Sequence, residues 1–261
     1  MMILLTNDDG IQADGLYHLY LACRSLGEVV IVAPDAEQSA VGHAITLSIP
    51  LRVKEVRREG QFYGYAVNGT PADCVKIAVR AILKKKPDLV ISGINLGPNL
   101  GTDVIYSGTV SAATEAAILG IKSIAVSLAT YEKPQYAPSA EFIREFALWV
   151  LKRRLPPDVL LNVNVPHLPK DKIKGVIWTQ QGKCRVTEVF HKRRDPRGRT
   201  YYWMSGKVTQ GKEDEGADYS AVNNGYISVT PVHFDLTNYK YLRRLKDVFF
   251  KWPTKDMICE K

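Results

Sequence analysis

The sequence predicts an α/β protein, a parallel sheet covered by helices on both faces. Three observations point there. Short, continuously apolar runs recur along the first 165 residues. Amphipathic stretches at helical spacing separate them. The runs end in turn residues rather than alternating polar and apolar, as strands buried on both faces do.

Met2 to Thr6 is the first run, stopped by Asn7-Asp8-Asp9-Gly10. Leu16, Leu19, Tyr20, Cys23 and Leu26 follow at helical spacing, with Gly27 as the stop. Residues 28–33 are a β-branched run ended by Pro34. Residues 46–67 alternate and carry Gly60 and Gly64, which predicts a β-hairpin insertion. Thr70-Pro71-Ala72-Asp73 is a helix start: threonine caps, proline takes the first helical position, and an acid sits in the first turn. Cys74, Ile77, Ala78, Ala81 and Ile82 form that helix's apolar stripe. Residues 88–92 are the next strand, 109–119 a helix ended by Gly120, and 123–127 another strand. Phe142, Phe146, Trp149 and Val150 mark a fourth helix, and 159–163 a further strand.

Beyond residue 168 the pattern changes. Residues 174–210 read as twisted antiparallel strands joined at Asp195-Pro196-Arg197-Gly198. Residues 225–230 read as a strand stopped by Pro231, and about 237–250 as a final helix carrying Tyr241, Leu245, Val248 and Phe249. A core at 1–167 and a C-terminal extension at 168–261 is the expected division.

The chain has 261 residues, 46% of them hydrophobic, enough for one large core. No apolar run reaches the length of a membrane span, and the opening five apolar residues are too few for a signal peptide. A cytoplasmic protein is expected. Its four cysteines, at 23, 74, 184 and 259, form no C-x-x-C pair and read as reduced. The net charge is +8, and residues 168–212 hold twelve Lys or Arg against three acids, a local +9. Such a stretch attracts phosphate-bearing partners. It suits a solvated arm or a subunit contact equally well.

In a parallel α/β sheet, ligands bind beyond the carboxyl ends of the strands. Three polar turns fall there: 7–10, 34–43 and 92–101. Asp8 and Asp9 are adjacent acids that repel unless a cation neutralises them. Alone, that turn reads as well as a helix cap with solvated acids. With two more polar loops nearby it reads as a site of hard oxygen donors for Mg²⁺, Mn²⁺ or Ca²⁺. Glycines 93, 97 and 101, interleaved with Asn95, Pro98 and Asn99, predict a loop whose backbone approaches a ligand. Tyr106-Ser107-Gly108-Thr109 opens a helix, where outward N–H groups and two hydroxyls make an anion site, or simply a cap. Of five histidines, none has ligand spacing with another; His43 lies in the second loop, within reach of a substrate, and His18 falls on a helix surface. There is no G-x-S-x-G elbow, which disfavours a serine hydrolase.

These motifs together resemble the SurE survival-protein family of nucleotidases. The resemblance is carried by Thr6-Asn7-Asp8-Asp9-Gly10, Ala33-Pro34-Asp35 with Gln38-Ser39, Asn68 to Cys74, Ser92 to Asn99, Asp103 to Val110 and Gly225 to Pro231. It runs in order from residue 3 to about 237 and is weakest over 168–223. It implies a Rossmann-like core with a C-terminal part used in forming a homodimer or homotetramer. It implies a divalent-metal phosphatase acting on nucleoside monophosphates as a 5′-nucleotidase, with 3′ esters and short polyphosphate as further candidate substrates, and with one Mg²⁺ or Mn²⁺ per subunit. The family's metal ligands carry over to Asp8, Asp9, Ser39 and Asn95, and positions near the phosphate to Asn99, Ser107, Gly108 and Thr109. The expected chemistry is attack on phosphorus by a metal-activated water, with Asp8 or Asp9 assisting its deprotonation. The alternative is a module that binds nucleotides or nucleic acid through the basic 168–212 arm without turnover.

Overall fold

A computed structural model describes residues 1–183, 185–209, 215–246 and 248. Its centre is a nine-stranded sheet. Six strands run parallel: β1 (Met2–Thr6), β2 (Glu28–Pro34), β4 (Gln61–Val67), β5 (Leu89–Leu96), β6 (Lys122–Ala129) and β7 (Val159–Pro166). Their spatial order is β4-β2-β1-β5-β6-β7. At one edge β3 (Val53–Arg58) lies antiparallel to β4. At the other, β11 (Ile227–His233) returns antiparallel to β7, and β8 (Val176–Trp178) pairs parallel with β11.

The apolar runs form strands because both faces of the sheet are covered. Ile3 and Leu5 of β1 pack with Leu16 and Leu19 of α1 (Asp14–Cys23) and Ile143 and Phe146 of α4 (Ala137–Leu151). Leu4, pointing the opposite way, packs with Cys74 and Val75 of α2 (Pro71–Ile77) and Ala112 and Ala116 of α3 (Gly108–Ile118). Successive side chains thus feed two cores. Cys23 and Cys74 are buried free thiols, and burial pushes the Cys23 thiol up to about 12; Cys184 and Cys259 lie outside the described residues. No described helix is long and apolar enough to cross a membrane.

Three expectations need correction. The stretch at 46–67 is not an insertion. Only 53–67 forms a hairpin, and β4 joins the main sheet beside β2. Gly64 makes this possible: a Cβ there would stand 2.7 Å from Ile31 Cβ. The helix that begins at Pro71 leaves α geometry for a π turn at Ala78–Ile82, so Ala81 is exposed rather than on the apolar stripe. The last helix, α6 (Tyr239–Leu245), is shorter than 237–250 and buries none of its residues in the single chain; Phe249 lies outside the described residues.

Past residue 168 the chain stays with the sheet. β8 and β11 extend it, and Tyr219 and Val222 of α5 (Asp218–Asn223) pack against Leu100 and Ala129. Between them β9 (Arg185–Arg194) and β10 (Thr200–Thr209) form a separate two-stranded sheet. Its turn is the expected one: the Gly198 N–H donates to Asp195 O at 2.9 Å, and Gly198 sits at φ 77°.

The first turn of α1 is pressed against the end of β5. A Cβ on Gly15 would stand 2.0 Å from the Ile94 carbonyl oxygen. Gly15→Ala should therefore cost about 2–3 kcal/mol by forcing backbone apart. Gly60→Ala, at φ 79° with nothing within 4 Å, should cost about 1 kcal/mol from backbone strain alone. Urea unfolding midpoints of the two variants check the ranking.

Candidate functional site

The strand order reverses between β1 and β5. From β1 the chain moves to β2 and β4 on one side, then crosses to β5 on the other. A doubly wound sheet opens a crevice at such a point, beyond the carboxyl ends. The register pairs Thr6, the last residue of β1, with Ser92, so the turn after β1 emerges beside the second half of β5.

The first turn is closed by its own side chain: Asn7 Nδ2 donates to Gly10 O at 2.9 Å, with Gly10 at φ 96°. The loop after β2 is stapled to it, because the Gln38 N–H donates to Asp8 O at 2.7 Å. The carboxyl end of β5, which runs on through residues 93–96 where the sequence predicts a turn, joins from the other side: the Leu96 N–H donates to Asp9 Oδ2 at 3.2 Å. Asn95 gives its amide N–H to Gly97 O at 2.8 Å, which leaves its side-chain oxygen as the end available to a ligand. The structure therefore brings Asp8, Asp9 and the end of β5 that carries Asn95 to one corner, with the loop of Ser39 fastened beside them. Ser39 is exposed, and its hydroxyl donates to Glu37 Oε1 at 2.6 Å.

The second half of the corner is the start of α3. Asp8 is almost fully buried, and its carboxylate accepts hydrogen bonds from both the hydroxyl and the backbone of Thr109. Gly108 allows this approach; a Cβ there would stand 2.8 Å from Asp8 Cβ. Ser107 caps the helix, its Oγ accepting from the Val110 N–H at 3.1 Å. Of the two hydroxyls expected at this helix start, one is thus committed to the acid and one to the cap. Burial raises the Asp8 carboxyl above the usual range, against the pull of the Thr109 hydrogen bonds. Burial, then the neighbouring Asp8 charge, pushes Asp9 up to about 7.

Asn99 is held in a buried polar network. Its side-chain N–H donates to Ser127 Oγ at 2.8 Å and its backbone N–H to Asn164 Oδ1 at 2.8 Å. Its carbonyl accepts from Asn162 Nδ2 at 2.9 Å and Asn164 Nδ2 at 3.0 Å. Nearby, the fully buried Asp218 accepts from the Gly101 N–H at 2.9 Å and the Gly182 N–H at 3.0 Å. His43 meets Glu115 of α3, Nε2 to Oε2 at 3.0 Å. His18, half-buried on α1, faces Asp14 O and the Tyr136 ring.

Several of these residues escaped sequence reasoning. Glu37 was inside a motif but unmarked, yet its charge raises both Asp8 and Asp9. Glu115 and Lys76 have only long-range side-chain partners, and Asp218, beyond the N–H of Tyr219, is bound by distant residues, so none carries a clear local signal. Asp73 was read as a first-turn acid; it also completes a capping box with Thr70 and binds Thr46. Among the described residues there is no group of three or more His, Cys, Asp or Glu able to hold a metal. The corner instead mixes two acids with amide and hydroxyl oxygens.

Comparison with known proteins gives one consistent result. The family described as Survival protein SurE matches residues 3–188. The chain is 51% identical over 252 residues to 5′-nucleotidase SurE of Syntrophobacter fumaroxidans, covering 97% of this chain and 99% of the relative. It is 54% identical over 248 residues to 5′-nucleotidase SurE of Pelotomaculum thermopropionicum, covering 94% of each. The crystal structure of the SurE protein from Aquifex aeolicus matches with a TM-score of 0.83 at 47% identity, over 94% of this chain and 98% of that one.

The raised acids carry a stability consequence. Without a cation, folding holds a proton on Asp9 up to about pH 7, whereas the unfolded chain releases it near 3.8. The folded state binds more protons in that window, so the metal-free protein loses stability as pH rises through it. Asp9→Asn should raise metal-free stability at about pH 8 by about 1–3 kcal/mol and leave it little changed at about pH 4. Thermal unfolding at the two pH values, in chelator, measures this.

Proposed function

The chain belongs to the SurE survival-protein family, and from that premise we propose that it is a metal-dependent nucleotidase whose reaction takes place at the Asp8–Asp9 corner. The observation that carries the site is the seating of Asp8 in the first turn of α3, at the point where the strand order reverses. Metal ligand and phosphate cradle would then share one contact.

A divalent cation fits the residues present. Two adjacent carboxylates, both raised by burial and one by the other's charge, lack the positive charge that would balance them. The available donors, Asp8, Asp9, Ser39 and the side-chain oxygen of Asn95, are all hard oxygens suited to Mg²⁺ or Mn²⁺. We assign one such cation per subunit. When bound, it supplies Lewis acidity to the phosphoryl oxygens and lowers the pKa of a water.

The chain's own residues do the rest. The Ser107 oxygen accepts from the Val110 N–H, which leaves its own hydrogen to donate to a phosphate oxygen. The backbone N–H of Gly108 and the positive end of α3 stabilise charge gathering on the phosphoryl group. Thr109 acts through Asp8, holding that carboxylate in place. Asp9 is anchored through Oδ2 by Leu96, and we assign its other oxygen to accept the proton of the attacking water. Asn99 is assigned to shaping the phosphate loop. His43 is assigned to the rim on the nucleoside side.

The substrates are nucleoside monophosphates, with 5′ esters first, in keeping with the names of the relatives; 3′ esters and short polyphosphate complete the proposed range. A homodimer or homotetramer is proposed from the hairpin of β9 and β10, which holds Phe190, Trp203 and Met204 more than 60% exposed in the single chain. We place the protein in the cytoplasm, in keeping with the free thiols at Cys23 and Cys74.

Phosphate release from a panel of nucleoside monophosphates, with Mg²⁺, Mn²⁺ or chelator, tests the reading. Chelator should abolish turnover. Asp8→Asn should lower kcat by about 10³-fold or more with the fold retained. Wild-type-like turnover in that variant would remove Asp8 from the site. Strongly salt-dependent nucleic-acid binding with no phosphate release would favour a binding module instead.

A further inference from the structure

The loop between β2 and β3, residues 35–52, carries Ser39 and His43 and has no regular structure of its own. Its middle is not held by hydrophobic burial, since Ile45, Leu47 and Ile49 are all exposed; Leu51, at its end, packs against the core. Its backbone takes two left-handed residues close together, Ala40 at φ 57° and Gly42 at φ 58°. Such a path persists only where neighbours over-determine it.

The neighbours are polar. The Gln38 N–H donates to Asp8 O at 2.7 Å and the Gly42 N–H to Tyr106 O at 2.9 Å. His43 Nε2 meets Glu115 Oε2 at 3.0 Å. Thr70 Oγ1 donates to Ala44 O at 2.7 Å. Thr46 donates to Asp73 through its N–H at 3.0 Å and its hydroxyl at 2.6 Å. Asp73 is already required as the capping acid of α2.

Glu115 is different. It lies in the last turn of α3, three residues before Ile118, beside Ala112, Ala113, Ala116 and Ala117 on the buried side. Its side chain is only 3% exposed. A carboxylate there carries a desolvation cost that an apolar residue would avoid. Both of its oxygens are in use, Oε2 with His43 and Oε1 with Lys76 Nζ at 2.8 Å. The bridge joins the loop, α2 and α3 at one point.

Resting on the function proposed above, we propose that Glu115 is a positioning residue for the reaction: through His43 it fixes the Ser39 loop, and so sets where Ser39 stands relative to Asp8 and Asp9. The first turn of α3 grips Asp8 through Thr109, and the same helix holds the opposite loop through Glu115, six residues further on. One rigid helix therefore spaces both sides of the metal corner. Side chains that orient ligands from behind in this way tune metal affinity.

The test reads Mn²⁺ affinity of the full-length protein by electron paramagnetic resonance of free Mn²⁺, which needs no turnover. Glu115→Gln keeps the shape and removes the charge. It should weaken Mn²⁺ binding by about tenfold. His43→Gln, which leaves Glu115 paired with Lys76, should weaken it by a similar factor, and the double variant should be no weaker than either single one. A merely structural role would not produce that coupling. Unchanged affinity in His43→Gln, or losses in the two variants that simply add, would overturn the proposal, even where Glu115→Gln fails to fold. A wild-type protein that takes up no Mn²⁺ would overturn the metal site itself, and the positioning role with it. Normal Mn²⁺ affinity without nucleotide hydrolysis would instead leave the positioning role standing and refute the nucleotidase reading.

Discussion

The carboxylate of Asp8 is held in the first turn of α3, and the arrangement of the crevice follows from that contact. A buried acid needs donors, and Thr109 supplies two, from its hydroxyl and its backbone. They reach it because residue 108 has no side chain to keep the helix away. The contact ties a central strand of the sheet to the helix that covers it, at the place where the strand order reverses. Asp8 also anchors the next loop, through its backbone oxygen and Gln38. Helix, strand and loop are thus located relative to one residue. Asp9 and Glu37 add negative charge beside it, so the corner collects more charge than the protein alone balances.

Much of this was legible in the sequence, because much of it is local. β1, β2, β5, β6 and β7 were visible as apolar runs, since strands buried on both faces leave uninterrupted signatures. Thr70 and Ser107 were visible as caps, and both accept hydrogen bonds from their helices. The convergence of the segments at 7–10 and 92–101 followed from the topology rule alone, and Leu96 does reach Asp9.

What was not legible depends on partners distant in the chain. Thr109 and Asp8 are 101 positions apart, and Gly101 and Asp218 are 117 apart. Neither pair leaves a periodic trace. Glu115 sits in a run of helix formers, where glutamate is ordinary and only burial makes it unusual. β4 was read correctly as half of a hairpin, but its parallel pairing with β2 depends on the close approach at Gly64 rather than on its alternation. β8 has three residues, too few for any pattern to emerge.

The loop around Asn99 has a consequence for how the protein comes into being. Asn99 is secured by Asn162 and Asn164, and Gly101 by Asp218. The α5 segment that carries Asp218 rests on Leu100 and Ala129, and β11 follows it to pair with β7. A chain leaving the ribosome can therefore assemble its first strands and helices early, while the segment running from Asn99 toward the start of α3 still lacks its last support. The Gly101 N–H gains its Asp218 acceptor only once that part of the chain has emerged. A product terminated before Asp218 would resemble the finished protein across most of its sheet and still leave the Gly101 end of that segment without its buried acceptor.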